Sequence, residues 1–480
     1  MRWPRKLPFV SPDFDDVLQQ ERIGMNQINR RTPLTRPFTG LQPTWPAPRL
    51  HRAARLATLV LAVLALIGSP AFAGQNGWPD FRWKRNQTWV STWATGPAGL
   101  PSGSPVPQFT NQTLRLIVHT SLGGEKLRIR LSNAYGTDPI LIGEAHVGLR
   151  ASGSTIVSGS DRPLRFSGQQ AITIPVGAFV LSDPVDLDVP DLSDLAVSIY
   201  LPNATPAATN HVLALQTSYA SGSGNYTGKP GLPAAATITT WPFLTGVDAA
   251  ASDAQGMVVA LGDSITDGAN STIDANHRWP NLLADRLLAA HRRLAVVDEG
   301  IIGNRILHPG YPPNAALFGP AALARFDRDV LGQAGVTHVI VLLGINDIGH
   351  PGSSAPESET VSAGDIVAGL KQLIARAHEK GLTIVGGTLL PFENTTIAGF
   401  YSPEKEVVRQ AVNQWIRSAH AFDAVVDFDQ ALRDPSHPTR LLPAYDGGDH
   451  LHPSDAGHAA MANAIDLSIF GPRDHGFAEW

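Results

Sequence analysis

Residues 257–268 read Met-Val-Val-Ala-Leu-Gly-Asp-Ser-Ile-Thr-Asp-Gly. Five apolar residues run without a break into a segment of glycine, aspartate, serine and threonine. A short apolar run bounded by turn residues is the mark of a strand buried on both faces. The glycines at 262 and 268 permit the chain to turn sharply, which leaves Ser264 at a strand-to-loop switch where a substrate can reach it. The spacing is not the G-x-S-x-G elbow of α/β-hydrolases, so the serine has to be judged from the rest of the chain.

Outward from this strand the pattern repeats. Leu294–Val297, His338–Leu343, Thr383–Val385 with its continuation to Leu390, and Ala424–Phe428 read as further buried strands. Residues 279–291, 321–331, 366–380 and 404–419 read as helices between them, and in the third Leu370, Leu373, Ile374 and Ala377 form one apolar stripe. Five strands alternating with helices predict an α/β domain with a parallel sheet covered on both faces. Ligands of such sheets bind beyond the carboxyl ends of the strands. Three further blocks fall on that rim: Gly300-Ile-Ile-Gly-Asn-Arg305 after the second strand, Gly344-Ile-Asn-Asp347 after the third, and Asp449-His-Leu-His-Pro453 before a helix capped by Ser454. Acyl transfer requires a nucleophile, a base within hydrogen-bond reach, a group that orients the base, and donors for the oxyanion. This rim holds residue types for all four.

The blocks GDSITDG, GIIGNR, GIND and DHLHP, in this order, resemble those of the SGNH (GDSL-type) serine hydrolase superfamily, over about residues 257–470. The resemblance implies a flavodoxin-like parallel sheet. It also implies Ser264 as nucleophile, His452 as base and Asp449 as the group that orients His452. The backbone N–H groups of Ser264 and Gly303 and the side-chain amide of Asn346 are implied as the oxyanion hole. No cofactor and no metal are implied. Arg305 follows the oxyanion glycine and is left between two uses, contact with a substrate oxygen and structural pairing with an acid. Asp446, Asp449, His450, His452, Asp455 and His458 crowd thirteen residues, but the triad roles of Asp449 and His452 take precedence over metal ligation.

Residues 78–241 read differently. Alternating runs at 114–119 and 126–131 are joined through Gly123-Gly124, a hairpin signal. Short strands follow near 171–174, 179–181 and 195–201, and residues 222–233 form a glycine-rich loop. With no helical period between them, these predict an antiparallel β-sandwich or jelly roll. The opening WVSTWATG, Trp89 to Gly96, is similar to that of two-domain esterases associated with xylan degradation. Trp83, Trp89, Trp93 and Trp241 are read either as packing residues or as a platform for sugar stacking.

The chain of 480 residues carries 37 basic and 42 acidic side chains, a net charge of -5. Residues 1–55 hold ten of the basic and four of the acidic groups, and residues 56–73 hold no charge. From Gly74 onward the balance is therefore −11, a poor surface for nucleic acid or anionic membrane. Arg49, Arg52 and Arg55 precede the twelve apolar residues Leu56 to Ile67, and Ala71-Phe-Ala73 follows. This is the order of a secretory signal peptide, with cleavage expected after Ala73 into a secreted or periplasmic protein and no stable membrane insertion afterwards. The absence of cysteine excludes disulfides, thiolate metal sites and thiol nucleophiles.

The expected organisation is an N-terminal extension with signal peptide (1–73), a β-sandwich accessory domain (74–245), a linker (246–256), an SGNH hydrolase domain (257–472) and a tail (473–480). The expected function is hydrolysis of short acyl esters, acetyl or aryl, on a small molecule or a polysaccharide. The rivals are a carbohydrate O-acetyltransferase on the same triad and a non-catalytic carbohydrate-binding protein.

Overall fold

The computed structural model describes residues 88–471. The basic extension, the apolar run, Trp83 and the tail expected from residue 473 lie outside the described residues. Among those described, no helix is long and apolar enough to cross a membrane.

The N-terminal half is antiparallel β structure. Its main strands are β1 (Trp89–Ala94), β2 (Gln112–His119), β3 (Gly124–Ser132), β4 (Glu144–Ser152), β5 (Asp194–Leu201), β6 (Ser218–Ser223) and β7 (Leu244–Ala250). One sheet runs β1–β7–β3 and adds Phe179–Leu181 and Val185–Val189 along β3. The other has β6, β2, β5 and β4 as its centre. Alternation places Leu114, Leu116 and Val118 of β2, with Leu195, Val197 and Ile199 of β5, in the same core as Leu127, Ile129 and Leu131 of β3. On the opposite face of β2, Arg115 is buried and donates to Ser198 Oγ and to the carbonyls of Ser154, Tyr226, Lys229 and Pro230. It thereby holds the glycine-rich loop against the sheet.

Two expectations need correction. The runs 114–119 and 126–131 do not pair as a hairpin; β2 and β3 belong to different sheets. Either arrangement buries one face of each strand, so alternation alone does not separate them. Gly123 and Gly124 are not among the residues with positive φ, as the tight primed turns require. They allow close approach instead: a Cβ on Gly123 would stand 2.1 Å from the carbonyl oxygen of Val189, and one on Gly124 2.5 Å from that of Ala250. The second correction concerns the linker. Gly246 to Ala250 are the buried end of β7, paired with β1 and β3. Asp248, which made the segment look solvent-exposed, accepts from Ser91 Oγ and Arg128 Nε. Only residues 251–255 connect the halves.

The C-terminal half contains strands β8 (Gly256–Gly262), β9 (Leu294–Gly300), β10 (Val336–Leu342), β11 (Thr383–Gly387) and β12 (Ala424–Val426). All pair in parallel, in the order β9–β8–β10–β11–β12. Helices α1 (Trp279–Ala289), α2 (Ala322–Phe326), α3 (Ile345–Gly349), α4 (Ala363–Glu379), α5 (Pro403–Ser418), α6 (Phe428–Leu432) and α7 (Asp455–Ala464) connect or follow them. A wider turn, Asp327–Leu331, continues α2. The stripe expected on α4 is buried, and a reciprocal Ser362–Asp365 capping box opens that helix. Because β9 and β10 flank β8, the chain changes direction at β8, and the crevice of such a sheet lies at that point.

The halves share a core. Val90 and Ala94 of β1 and Leu122 pack with Met257, Val258 and Val296 of the α/β half. Ser91 N donates to the carbonyl of Ala334, and Val296 N to Ser121 Oγ.

Candidate active site

β8 ends at Gly262, where a Cβ would collide with the Thr266 side chain at 2.0 Å. The chain then coils: Asp267 N donates to the carbonyl of Asp263 and Ala269 N to that of Ser264, both at 2.9 Å. Gly268 completes the turn with φ 90°. Asp263 Oδ1 accepts from Ile265 N. Burial pushes the Asp263 carboxyl up to about 7 against that hydrogen bond. Ser264, 5% exposed, stands at the sheet rim at the start of this turn.

His452 arrives from the far end of the chain. Its Nε2 lies 2.7 Å from Ser264 Oγ and its Nδ1 2.6 Å from Asp449 Oδ2. Asp449 Oδ1 accepts from the backbone N–H groups of Leu451 and His452, at 3.0 and 2.8 Å, so the carboxylate is fixed by the loop that carries the histidine. Asn270 Nδ2 donates to Oδ2 at 3.1 Å. Burial opposes ionisation of Asp449, but His452 and these N–H donors outweigh it and hold the carboxyl far below its ordinary range. An ionised carboxylate only accepts, so His452 Nδ1 carries the proton and Nε2 is left as acceptor for the serine hydroxyl.

The residues expected as oxyanion donors stand at the ends of three neighbouring strands. Ser264 follows β8, Gly303 follows β9, and Asn346 is the second residue of α3, the helix after β10. Gly303 has φ 68°, and a Cβ there would enter the Phe318 ring at 2.3 Å. Among the described residues the N–H groups of Ser264 and Gly303 meet no acceptor. Asn346 Nδ2 gives one hydrogen to the carbonyl of Asn304 at 3.1 Å, leaving the other unengaged. Asp347 does not touch Asn346; it accepts from Ile306 N and Leu307 N, and burial raises its carboxyl to about 6.

Arg305 is buried and paired with an acid. It is 1% exposed; Nη1 donates to Glu359 Oε2 at 2.7 Å and Nη2 bonds the carbonyl of Pro309. Of its two uses, the structure takes structural pairing. The other residues of the acidic and histidine cluster have separate partners. His450 pairs with Asp446, Asp455 with Thr272 and His277, and buried His458 with the carbonyl of Ala269. Trp93 and Trp241 are packing residues, in edge-to-face contact at 4.9 Å, with Trp241 Nε1 donating to the carbonyl of Ile117. Trp89 is partly exposed beneath the Arg128 guanidinium.

Sequence reading missed two supports of the site. Asn270 sits in the turn after Ser264 with φ 67° and reaches Asp449 across 179 residues. His211, from the β half, places Nε2 2.9 Å from Asp267 Oδ1 and Nδ1 3.0 Å from the carbonyl of Gly96. Neither has a local signal, because each acts on a partner brought near only by the fold.

Residues 260–460 match the GDSL-like lipase/acylhydrolase family. No curated protein matches the chain. Solved structures similar to it include LAE5, an alpha/beta hydrolase enzyme from the metagenome of Lake Arreo, Spain, at 24% identity and TM-score 0.34, covering 45% of this chain and 96% of that one. Another is Axe2, an acetylxylan esterase from Geobacillus stearothermophilus, at 22% identity and TM-score 0.34, covering 45% and 95%. A third is a putative lipolytic protein of the G-D-S-L family from Desulfitobacterium hafniense DCB-2, at 19% identity and TM-score 0.33, covering 44% and 97%. The domain at residues 260–460 is thereby that of a GDSL-like lipase/acylhydrolase, a carboxylic ester hydrolase.

Proposed function

We propose that the protein is an exported serine esterase that hydrolyses short acyl esters, acetyl or aryl, with acetyl groups on carbohydrate as the natural class. The observation that carries this reading is the relay Asp449–His452–Ser264, joined at 2.6 and 2.7 Å, with Gly303 and Asn346 beyond the ends of the two strands that flank the one before Ser264. Ser264 Oγ attacks the ester carbonyl carbon as its proton passes to His452 Nε2. Asp449 stabilises the imidazolium and keeps the ring oriented. The carbonyl oxygen takes the negative charge between the N–H groups of Ser264 and Gly303 and the amide of Asn346, each such donor being worth about 3–4 kcal/mol. The tetrahedral intermediate collapses as Nε2 returns the proton to the departing alcohol, leaving acyl-Ser264. Water repeats the sequence and releases the carboxylic acid.

The carbohydrate part of the reading is supported by the similarity of the β-half opening, Trp89 to Gly96, to two-domain esterases of xylan degradation. We read that half as a sandwich of its two sheets, whose shared core includes Leu116 and Ile129. Export is supported by the order of basic, apolar and small residues over 49–73. The first amino acid of the mature secreted protein is then Gly74, which N-terminal sequencing checks.

The test is a series of p-nitrophenyl esters of increasing chain length beside acetylated xylan. Release of acid is expected, fastest with acetyl. Ser264→Ala should lower it by several orders of magnitude, the scale of serine triads, with the fold retained. Full activity of that variant overturns the mechanism, and acyl transfer to a sugar in preference to water overturns hydrolysis as the reaction.

A further inference from the structure

Arg325, on α2, is 1% exposed, and each of its three guanidinium nitrogens is engaged. Nη2 donates to the carbonyl of Gly262, two residues before Ser264, at 2.8 Å. Nη1 donates to the carbonyl of Glu299, near the end of β9, at 2.8 Å, and to Asp329 Oδ2 at 3.0 Å. Nε donates to Asn304 Oδ1 at 2.9 Å. Asn304 follows Gly303, its side-chain amide bonds the carbonyls of Phe318 and Pro320, and its own carbonyl takes the hydrogen from Asn346 Nδ2.

We propose that Arg325 is the positioning residue of the oxyanion site: it fixes, relative to one another, the three segments that carry the donors of Ser264, Gly303 and Asn346. This rests on the ester-hydrolase reading of Ser264. The β8 and β9 carbonyls it spans lie on adjacent strands, which are about 4.8 Å apart. A planar fork of fixed N–H directions reaches both at once, whereas an ammonium on a flexible stem does not. The charge is balanced by buried Asp329, which Arg328 also binds. Pre-set donors lower the barrier because they need no rearrangement when the oxyanion forms. An error in their spacing therefore appears in the chemical step and not in ground-state binding.

The experiment is a double-mutant cycle of Arg325→Lys with Asn346→Ala, read as kcat and KM on p-nitrophenyl acetate beside thermal unfolding. Arg325→Lys is expected to lower kcat by about 10- to 100-fold, approaching the loss of one donor, with KM changed less than about threefold. In the Asn346→Ala background the same substitution should cost several-fold less, because the residues act on one oxyanion. If Arg325→Lys does not fold, Asn304→Asp replaces it; that variant keeps an oxygen for Arg325 Nε but loses the amide bonds to the Phe318 and Pro320 carbonyls, so it loosens the Asn304 segment while the bonds of Arg325 to Gly262, Glu299 and Asp329 remain. Unchanged kcat, a change confined to KM, or equal losses in both backgrounds overturns the inference. If the unmodified protein hydrolyses no ester and a fluorophosphonate does not label Ser264, the esterase reading fails and this one falls with it. If it is active and labelled but the cycle is additive, only the role of Arg325 is lost.

Discussion

His211 of the β half and Asp267, three residues beyond Ser264, form a buried ion pair with Nε2 and Oδ1 2.9 Å apart. Burial disfavours the charged ring, yet Asp267 and the Gly96 carbonyl outweigh it and raise the His211 pKa. Arg278 continues the contact: it donates to the carbonyls of Asp267 and Leu213 and lies over the Trp241 ring. The turn that presents the serine is thus bonded from both halves of the molecule.

His211→Ala is expected to destabilise the whole protein by about 3–5 kcal/mol, the usual cost of leaving one member of a buried pair alone. Removing residues 74–250 should yield insoluble chain, because Val90, Ala94 and Leu122 then leave the α/β core. Denaturant unfolding of the variant checks the first expectation. A soluble, active truncation that had lost only its retention on polysaccharide would refute the second.

Gly303→Ala should abolish most activity and lower stability. The residue holds φ 68°, where an L side chain costs about 1–3 kcal/mol, and the added methyl meets the Phe318 ring at 2.3 Å. Initial rates and melting temperature measure the two effects; wild-type values in both exclude the assigned geometry.

Asp263 makes stability fall with rising pH. Its folded pKa, near 7, lies above the ordinary value of about 3.9, so between these limits the native state holds a proton that the unfolded chain has lost. Each such group contributes a slope of up to about 1.4 kcal/mol per pH unit across that window. Asp263→Asn, which retains an oxygen for Ile265 N, should flatten the dependence between about pH 4 and 7. Unfolding curves at pH 4.5 and 7 decide it, and identical slopes in the two proteins count against the assignment.

Arg305→Gln should lower the melting temperature and leave KM for small esters within about twofold, since the guanidinium is buried and bound to Glu359 and Pro309. A large rise in KM with unchanged stability would return Arg305 to the substrate.

The elements that carry the site were legible because their signals are local. Met257–Leu261 and Leu370–Ala377 show their burial in a few residues, and Asp449 and His452 lie within one turn of chain. Long-range partners were not legible. Alternation at Leu127–Leu131 states that one face is buried but not which strand lies alongside, so the crossing from β2 to β3 read as a hairpin. Gly246–Ala250 read as a linker because small residues and an aspartate look solvent-exposed until Arg128 and Ser91 are found beside Asp248. Arg325 showed no motif at all, since its partners Gly262 and Asn304 are 63 and 21 residues away.

The position of β1 has a consequence for synthesis. Its sheet neighbour β7 follows about 150 residues later, and the apolar residues that cover Val90 and Ala94 come later still. A chain emerging from the ribosome cannot complete the β half first and leave it finished, as independent domains ordinarily do. The first described strand stays open until the parallel sheet forms, so the β half is finished only together with the half that carries Ser264.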